Sequence, residues 1–389
     1  MTTDVAVIGG GLGGLMAATL AARHGQRVTL WERASVLGGR GRTTVQDGFH
    51  MNLGPHALYV AGDANRLLTE LGVRPVGAKP RLPGLSTWSP AGATPQGYWQ
   101  VARMLAAAPF WSTAQFRGQT VDTWLAARLT EPGALRLAWA LLRTVSYCAD
   151  GDADAGRMAL QLQRAVHNVL YLDGGWQQLV DGLENAAQVA GVQLYPSAAV
   201  ERVEPGVVWV GGQSIEAKSI ILAVSPTAAA ALLPESVALG QLASEARPVY
   251  AACLDVALSE VPHPARTFAA GFVDPTYLSV HSASADLAPP GGGLLHALWY
   301  RRHGDGGDHR DALERMLDVE QPGWRDVVVH ARYLPKMVVA NDRMRADAFP
   351  NQVPDVPGVW VVGDWVGAEG WLLDAVAQSA RKAAKAVGR

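Results

Sequence analysis

The chain has 389 residues, too many for one ordinary core, and this length suits two intimately connected domains. A formal net charge of −2 gives no bulk electrostatic pull toward nucleic acid or an anionic membrane surface. The two cysteines, Cys148 and Cys253, lie far apart with neither a CxxC nor a metal-ligand spacing, so two unpaired thiols in a reducing cytoplasm are expected.

Val5 to Ile8 reads as a buried strand that begins almost at Met1, which argues against a secretion signal. Gly9, Gly11 and Gly14 follow it, then a helix kept thin by Ala17, Ala18, Ala21 and Ala22, a second strand from Val28 to Trp31, and Glu32 at that strand's end. This strand, glycine turn, helix, strand and acid make up a dinucleotide fingerprint. Gly9 permits the tight turn, Gly11 lets the backbone approach a pyrophosphate, and Gly14 lets the helix close on the sheet. The phosphate then sits on the free N–H groups of the helix N-terminus, and Glu32 accepts the ribose hydroxyls. NAD and FAD share this ADP half, so the fingerprint alone does not choose between them. Gly38, Gly39 and Arg40 add a second glycine turn, with a guanidinium fork suited to the remaining phosphate charge.

Arg74 to Gly97 carries Pro75, Pro80, Pro83, Pro90 and Pro95 and reads as a crossing into another domain, with an excursion around Ser86 to Thr94. Helices are expected at Tyr98 to Phe116, Val121 to Leu129 and Ala134 to Ala149. The first is amphipathic, but it lacks a flanking basic face, so core or pocket wall is favoured over membrane contact. Asp150, Asp152 and Asp154 imitate a calcium loop whose sixth position, Ala155, and twelfth, Gln161, both have the wrong residue; an acidic turn before a helix is expected instead. From Gly174 the chain returns to the first domain, with a helix at Trp176 to Val189 and strands at Val192 to Tyr195, Val200 to Val203 and Ile220 to Val224. A second excursion runs from about Arg247 to Asn351. Its strands are Tyr250 to Leu258, Tyr277 to Ser284, Leu294 to Arg301 and Val327 to Leu334, with a helix at Arg310 to Leu317. His303, Asp305, Asp308 and His309 stand among glycines and suit a flexible surface loop better than a metal site. No apolar run approaches a membrane span, and no metal centre is expected.

Val359 to Val362 is an apolar strand closed by Gly363 and Asp364, and a helix follows from about Leu372 to Val387. Asp364 is placed for a ribityl hydroxyl, and the helix N-terminus for the flavin N1 and C2 carbonyl edge, where negative charge gathers on reduction. With the N-terminal fingerprint and its GGR, FHMNLGPHAL at 49–58, YLDGGWQQLVDGL at 171–183, SIILAVSP at 219–226 and the GDWVG ending, the chain resembles the flavin amine oxidase, protoporphyrinogen oxidase and phytoene desaturase superfamily over nearly its whole length. The LLDAVAQSA ending resembles the desaturase and protoporphyrinogen oxidase branches more than animal amine oxidases.

The resemblance implies an α/β fold, with a Rossmann-like FAD-binding domain from residues 1–75, 170–246 and 352–389. A discontinuous α+β substrate-binding domain takes 76–169 and 247–351, and substrate lies between its sheet and its helices. It also implies cofactor contacts from Leu12, Gly13, Arg33, Val203, Leu372 and Leu373 beside the fingerprint residues. Gly54, Pro55 and His56 match the segment that lines the flavin ring. His56 is either a proton acceptor or a packing and hydrogen-bonding neighbour of the cofactor. Trp371 matches one wall of the amine oxidase aromatic cage and is expected to shape the pocket.

Departures from the family narrow the expectation. No cysteine stands near the C-terminal motif, so FAD is expected to be non-covalent. Of the five lysines only Lys336 could serve as the amine oxidase lysine, and Pro335 before it suggests an exit from the sheet. The chain is short for a long polyene tunnel. The leading expectation is a dehydrogenase or desaturase passing a hydride from a mostly apolar small molecule to flavin N5, with the electron acceptor left open. The alternatives are a flavin amine oxidase and a non-catalytic FAD-binding protein.

Overall fold

The computed structural model describes residues 2–80, 85–88 and 95–388. Pro83, Pro90 and most of the Ser86 to Thr94 excursion lie outside the described residues; what is described there is a short strand, Leu85–Trp88.

The strand Thr2–Ile8 is buried from Thr3 onward because it has neighbours on both edges and helices on both faces. Val5 to Ile8 run parallel to Val28–Trp31 on one side and to Ser219 to Leu222 on the other. Val359–Val361 extends the parallel sheet beside Ile220 to Leu222, and Gln193–Tyr195 extends it at the opposite edge. The strand foreseen at Ile220 to Val224 begins earlier, at Gln213, and its first half forms an antiparallel meander with Val207–Val210 and Val200–Glu204. These seven strands carry helices Leu12–Arg23, Gln177–Val189 and Leu373–Val387 on one face, closed by Leu15, Met16, Leu183, Ala380 and Ala384. The helix at Leu12 packs this tightly because Gly13 brings its backbone against Val362 and Val376, where a Cβ would approach Val376 Cγ1 to 2.8 Å.

A second sheet of six strands is antiparallel except at Leu85–Trp88, which runs parallel to Phe268–Gly271. At its other edge Val328–Ala340 pairs with Val249–Leu258, which pairs in turn with Gly293–Tyr300. Helix Arg310–Glu320 covers one face through Leu313, Met316 and Leu317. The helices Pro95–Ala107, Val121–Ala126, Pro132–Ser146 and Ala155–Ala165 form a third layer around Trp124, Leu125 and Met158.

Several segments differ from the sequence reading. The helix expected at Tyr98 to Phe116 ends at Ala107 and gives way to 3-10 turns at Ala108–Phe110 and Thr113–Phe116. The last strand of the second sheet does not stop at Leu334 but continues through Pro335 to Ala340. It lies at the sheet edge, and the register slips between the Cys253–Leu334 and Ala251–Met337 pairs, so the missing proline N–H breaks no ladder. Tyr277 to Ser284 is a strand only to Val280, after which His281–Ala283 turns as a 3-10 helix. Gly38 to Gly41 folds as a short 3-10 turn, and Gly38 N donates to Gly10 O at 2.7 Å, seating the second glycine turn on the first.

Candidate flavin and substrate site

Two glycine turns meet at the top of the parallel sheet. Gly9 has φ +105°, and a Cβ there would lie 2.5 Å from Ala223 O; a Cβ on Gly14 would lie 1.9 Å from Gly9 O. Only glycine fits either position. Around Gly11, by contrast, a Cβ meets nothing within 4 Å, so the helix N-terminus is open toward a phosphate. Glu32 accepts from Gly10 N at 2.7 Å and Ala34 N at 2.8 Å, one backbone N–H on each oxygen. Its carboxylate is thereby aimed at the strand end with a lone pair left on each side for a ribose diol. Arg33 is exposed beside it, and Val203 is buried in the adjoining meander.

Arg40 and Asp364, read from the sequence as separate contacts, are partners: Arg40 Nη2 donates to Asp364 Oδ2 at 2.6 Å, and Nη1 to Val339 O at 2.8 Å. Asp364 is 2 % exposed, and its other oxygen accepts from Asn341 Nδ2 at 2.9 Å. The pair joins Gly39–Gly41 to the strand that ends at Ala340. Beyond Gly363, Leu372 has φ 51°, a left-handed conformation rare for a branched side chain, at the N-cap of the terminal helix that continues from Leu373. Asp374 in the first turn accepts from Ala64 N at 2.8 Å and pairs with Arg164 Nη1 at 3.0 Å.

The Gly54–His56 turn is where all three layers converge. Gly54 has φ +78°, and a Cβ there would stand 2.6 Å from Met337 Sδ and 3.5 Å from Cys253 Sγ of the second sheet. Tyr147, from the helical layer, donates to Pro55 O at 3.0 Å. Trp176, from the parallel-sheet layer, sets its ring edge-on to His56 at 4.6 Å, and its backbone N–H donates to Asn52 Oδ1 at 3.0 Å. His56 Nδ1 is 3.0 Å from Gly54 O, and burial pushes its pKa down to about 4, the Gly54 carbonyl only partly opposing. His56 is therefore neutral across the physiological range. Trp371 sits apart from this turn: it is 1 % exposed in the core of the helical layer, with Nε1 donating to Ser146 O at 2.8 Å and Arg157 over its ring.

Sequence reasoning missed a polar cluster behind the turn. Asp255 and His296 are opposite residues of neighbouring strands, and His296 Nδ1 lies 2.6 Å from Asp255 Oδ1. Arg332, opposite Asp255 on the other side, donates to Asp255 Oδ2 through Nη2 at 2.6 Å and also to Asn52 O. Burial alone would raise the Asp255 pKa, but the hydrogen bonds from His296 and Arg332, with the Arg332 charge, outweigh it and hold the carboxyl below its ordinary value. His281 stacks on Tyr171 at 3.7 Å, meets the His296 ring edge-on at 4.5 Å, and shares Tyr277 OH through Nε2 at 3.2 Å. The one signal in the sequence was a charged residue in the apolar run VYAACLDVAL and a histidine in GLLHALWY.

Cys253, Asp255 and His296 each offer a ligand atom within 4.8 Å of the others. Burial pushes the Cys253 thiol well up, so the sulfur keeps its proton and donates it to Asp255 Oδ1 at 3.1 Å, while Arg332 already supplies the balancing cation. The acids of the two metal-like sequence clusters also have partners. Asp154 caps the helix at Ala155, Asp152 pairs with Arg247 and Arg343, and Asp305 holds His309. Lys336 is exposed, with its ammonium 4.5 Å from the Tyr250 ring centre.

Residues 133–388 match the model of the flavin containing amine oxidoreductase family, and residues 7–71 match an NAD(P)-binding Rossmann-like domain. The chain belongs to the flavin containing amine oxidoreductase family. Among curated proteins it is similar to 4,4'-diapolycopen-4-al dehydrogenase of Metabacillus indicus, 23 % identical over 395 residues that span 82 % of this chain and 80 % of that one. An oxidoreductase of Methanosarcina mazei has the same fold, with TM-score 0.80, 18 % identity and coverage of 97 % of this chain and 99 % of that chain. So does a redesigned putrescine oxidase, with TM-score 0.77, 17 % identity and coverage of 100 % and 99 %. The protein is thus an FAD-dependent oxidoreductase. Its own geometry fits the cofactor: a glycine turn that only glycine can make, an open helix N-terminus at Gly11 and an aimed acid at Glu32. Among the described residues no helix is long and apolar enough to cross a membrane.

Proposed function

We propose that the protein is a dehydrogenase or desaturase of an apolar small molecule, which binds between the second sheet and the helical layer beside Gly54–His56. The observation that carries this reading is the surface those layers present to the turn: Cys253, Tyr277, Leu298 and Tyr300 are buried together, with Tyr147 and Met337 packed on them. Aromatic and thioether groups of this kind hold apolar substrates by area and shape. The similarity to an enzyme named for a polyene aldehyde points the same way. Residues 1–75, 170–246 and 352–389 form the FAD-binding domain in this reading, and 76–169 with 247–351 the substrate-binding domain.

Bound FAD supplies the hydride acceptor, and the chain supplies position and exclusion of water. Glu32 takes the adenosine ribose and the Gly11 turn the pyrophosphate, with Leu12, Gly13, Gly14, Arg33 and Val203 around them. Gly39, Gly363, Leu372 and Leu373 line the flavin half. Arg40 and Asp364 act there as one unit, the arginine fixing the carboxylate that meets the ribityl chain. Pro55 and Tyr147 close the turn against solvent. His56, neutral and tied to its own backbone, lines the ring rather than moving a proton, and Trp371 acts through packing.

Anaerobic bleaching of the flavin against a panel of amines, porphyrinogens and polyenes tests the proposal. Bleaching by polyenes or other apolar compounds is expected. Bleaching by amines alone would establish the amine oxidase reading instead.

A further inference from the structure

The apolar wall over the Gly54–His56 turn contains a polar island with two unpartnered ring nitrogens. His296 Nε2 and His281 Nδ1 are buried without a hydrogen-bond partner, although His296 is 0 % and His281 1 % exposed. An unmet buried polar atom is costly, so two in one cluster, on rings 4.5 Å apart, suit a shared partner that satisfies both.

The donor and acceptor roles follow from the neighbours. Asp255 is an acceptor, so the His296 proton lies on Nδ1 and Nε2 presents a lone pair. Arg332 already balances the Asp255 charge, and a neutral imidazole completes a neutral set. Burial holds His281 neutral as well, and Tyr277, the stronger donor of that pair, gives its hydroxyl proton to His281 Nε2, which leaves the His281 proton on Nδ1. One position therefore accepts a hydrogen bond and the other donates one. A hydroxyl group does both; a carbonyl can only accept, and a hydrocarbon can do neither.

The island also faces the flavin side of the sheet. Its register puts Asp255, Arg332 and His296 side by side, two residues along the strand from Cys253, whose sulfur meets the Gly54 turn; Arg332 reaches Asn52 O, and the ring of His296 meets that of His281 edge-on at 4.5 Å.

We propose that this island takes the hydroxyl group of an otherwise apolar alcohol, with His296 as acceptor of the hydroxyl proton. This rests on the apolar-substrate reading and gives it a reactive group. With FAD bound, the α C–H bond would break with its electron pair passing as hydride to the flavin, the O–H bond would break with its proton going to His296 Nε2, and a C=O bond would form, so that the two electrons lost by the alcohol would be taken up by the cofactor. Asp255 is a positioning residue that stabilises the imidazolium.

The test uses the FAD-loaded full chain with 1-octanol, octanal and octane as probes of matched length. Dissociation constants come from perturbation of the flavin spectrum in air-equilibrated buffer at short times, and oxidation from anaerobic bleaching with octanal formation. The expected result is 1-octanol binding about tenfold or more tighter than octane, the scale of one or two buried hydrogen bonds, with octanal between them. In His296→Phe the preference for 1-octanol should fall to within about twofold while octane binds as before, and 1-octanol should no longer bleach the flavin. His281→Phe, which leaves the Asp255 pair intact, should reduce the preference too and serves if His296→Phe does not fold. Equal binding of octane and 1-octanol by the unaltered protein, as when a buried water fills the island, overturns the inference and leaves the apolar-substrate reading standing. So does a preference that survives both substitutions. Tight 1-octanol binding with no bleaching overturns the proton-transfer step, and no response to any of the three probes overturns both readings.

Discussion

At Glu32 each carboxylate oxygen holds one backbone N–H, so the acid is oriented before any ligand arrives. Removing it takes away the ribose contacts and unties Gly10 and Ala34, and Glu32→Ala should weaken FAD binding by about 2–4 kcal/mol, read as a dissociation constant by fluorescence quenching. An unchanged constant would make Glu32 a surface acid only. His56 gives a pH-dependent expectation. Its pKa is lowered from 6.5 to about 4, so between those values the unfolded chain binds more protons than the folded one. The stability that neutral His56 contributes is therefore complete above pH 6.5 and is lost as pH falls toward 4, by on the order of 3 kcal/mol. Asp342 and Asp374 have raised pKa values and pull the other way, but they cancel in the difference between the unaltered protein and His56→Gln. Denaturant unfolding at pH 7.5 and pH 5 should show a shallower acid loss in the variant; equal losses would refute the assignment.

Elements were legible where one short stretch contains its own cause. The glycine turn at Gly9, the alanines of the following helix and the apolar strand at Val359 are local signals, and each gave its element. The strand through Pro335 was not, because proline reads locally as a stop, while an edge position with a register slip, visible only in the folded sheet, lets the strand continue. That continuation decides how Lys336 is read. It leaves the lysine exposed over Tyr250, while its neighbour Met337 meets Gly54. Lys336→Met should change anaerobic flavin reduction by less than about threefold, far from the 10²- to 10⁴-fold typical of losing a positioned proton-transfer group. A defect of that larger size would revive the amine oxidase reading. Trp371 is buried in the helical layer with its N–H satisfied, so Trp371→Ala should cost about 3–5 kcal/mol in unfolding free energy, with any loss of flavin reduction following from that layer's shift. An unfolding midpoint within error of the unaltered protein would place Trp371 outside the core energetics.

On the scale of the whole molecule, the site exists only where layers from distant parts of the chain meet. Asp255, His281, His296 and Arg332 come from three strands and the turn after a fourth, and Arg40 meets Asp364 across 324 positions. A single sequence gives residue types but not register, which is why the flavin motifs could be read and the histidine island could not. The same convergence governs how the cofactor is held. Gly9–Gly14 and Glu32 belong to the parallel sheet, Arg40 is anchored to Val339 at the end of the second sheet, and Tyr147 secures Pro55 from the helices. FAD bridging these elements should stabilise the native state by mass action, about 2.7 kcal/mol at a free concentration 100 times its dissociation constant. The melting temperature should rise with added FAD, and heat or acid should release the flavin intact. Attachment through a cysteine would need a thiolate, and the cysteine nearest the Gly54 turn, Cys253, has its thiol pushed well up by burial and hydrogen-bonded to Asp255. Chromatography of the acid supernatant should recover all of the flavin as FAD; flavin retained on the precipitated chain would overturn the non-covalent assignment, and a melting temperature indifferent to added FAD would mean that the layers close without it.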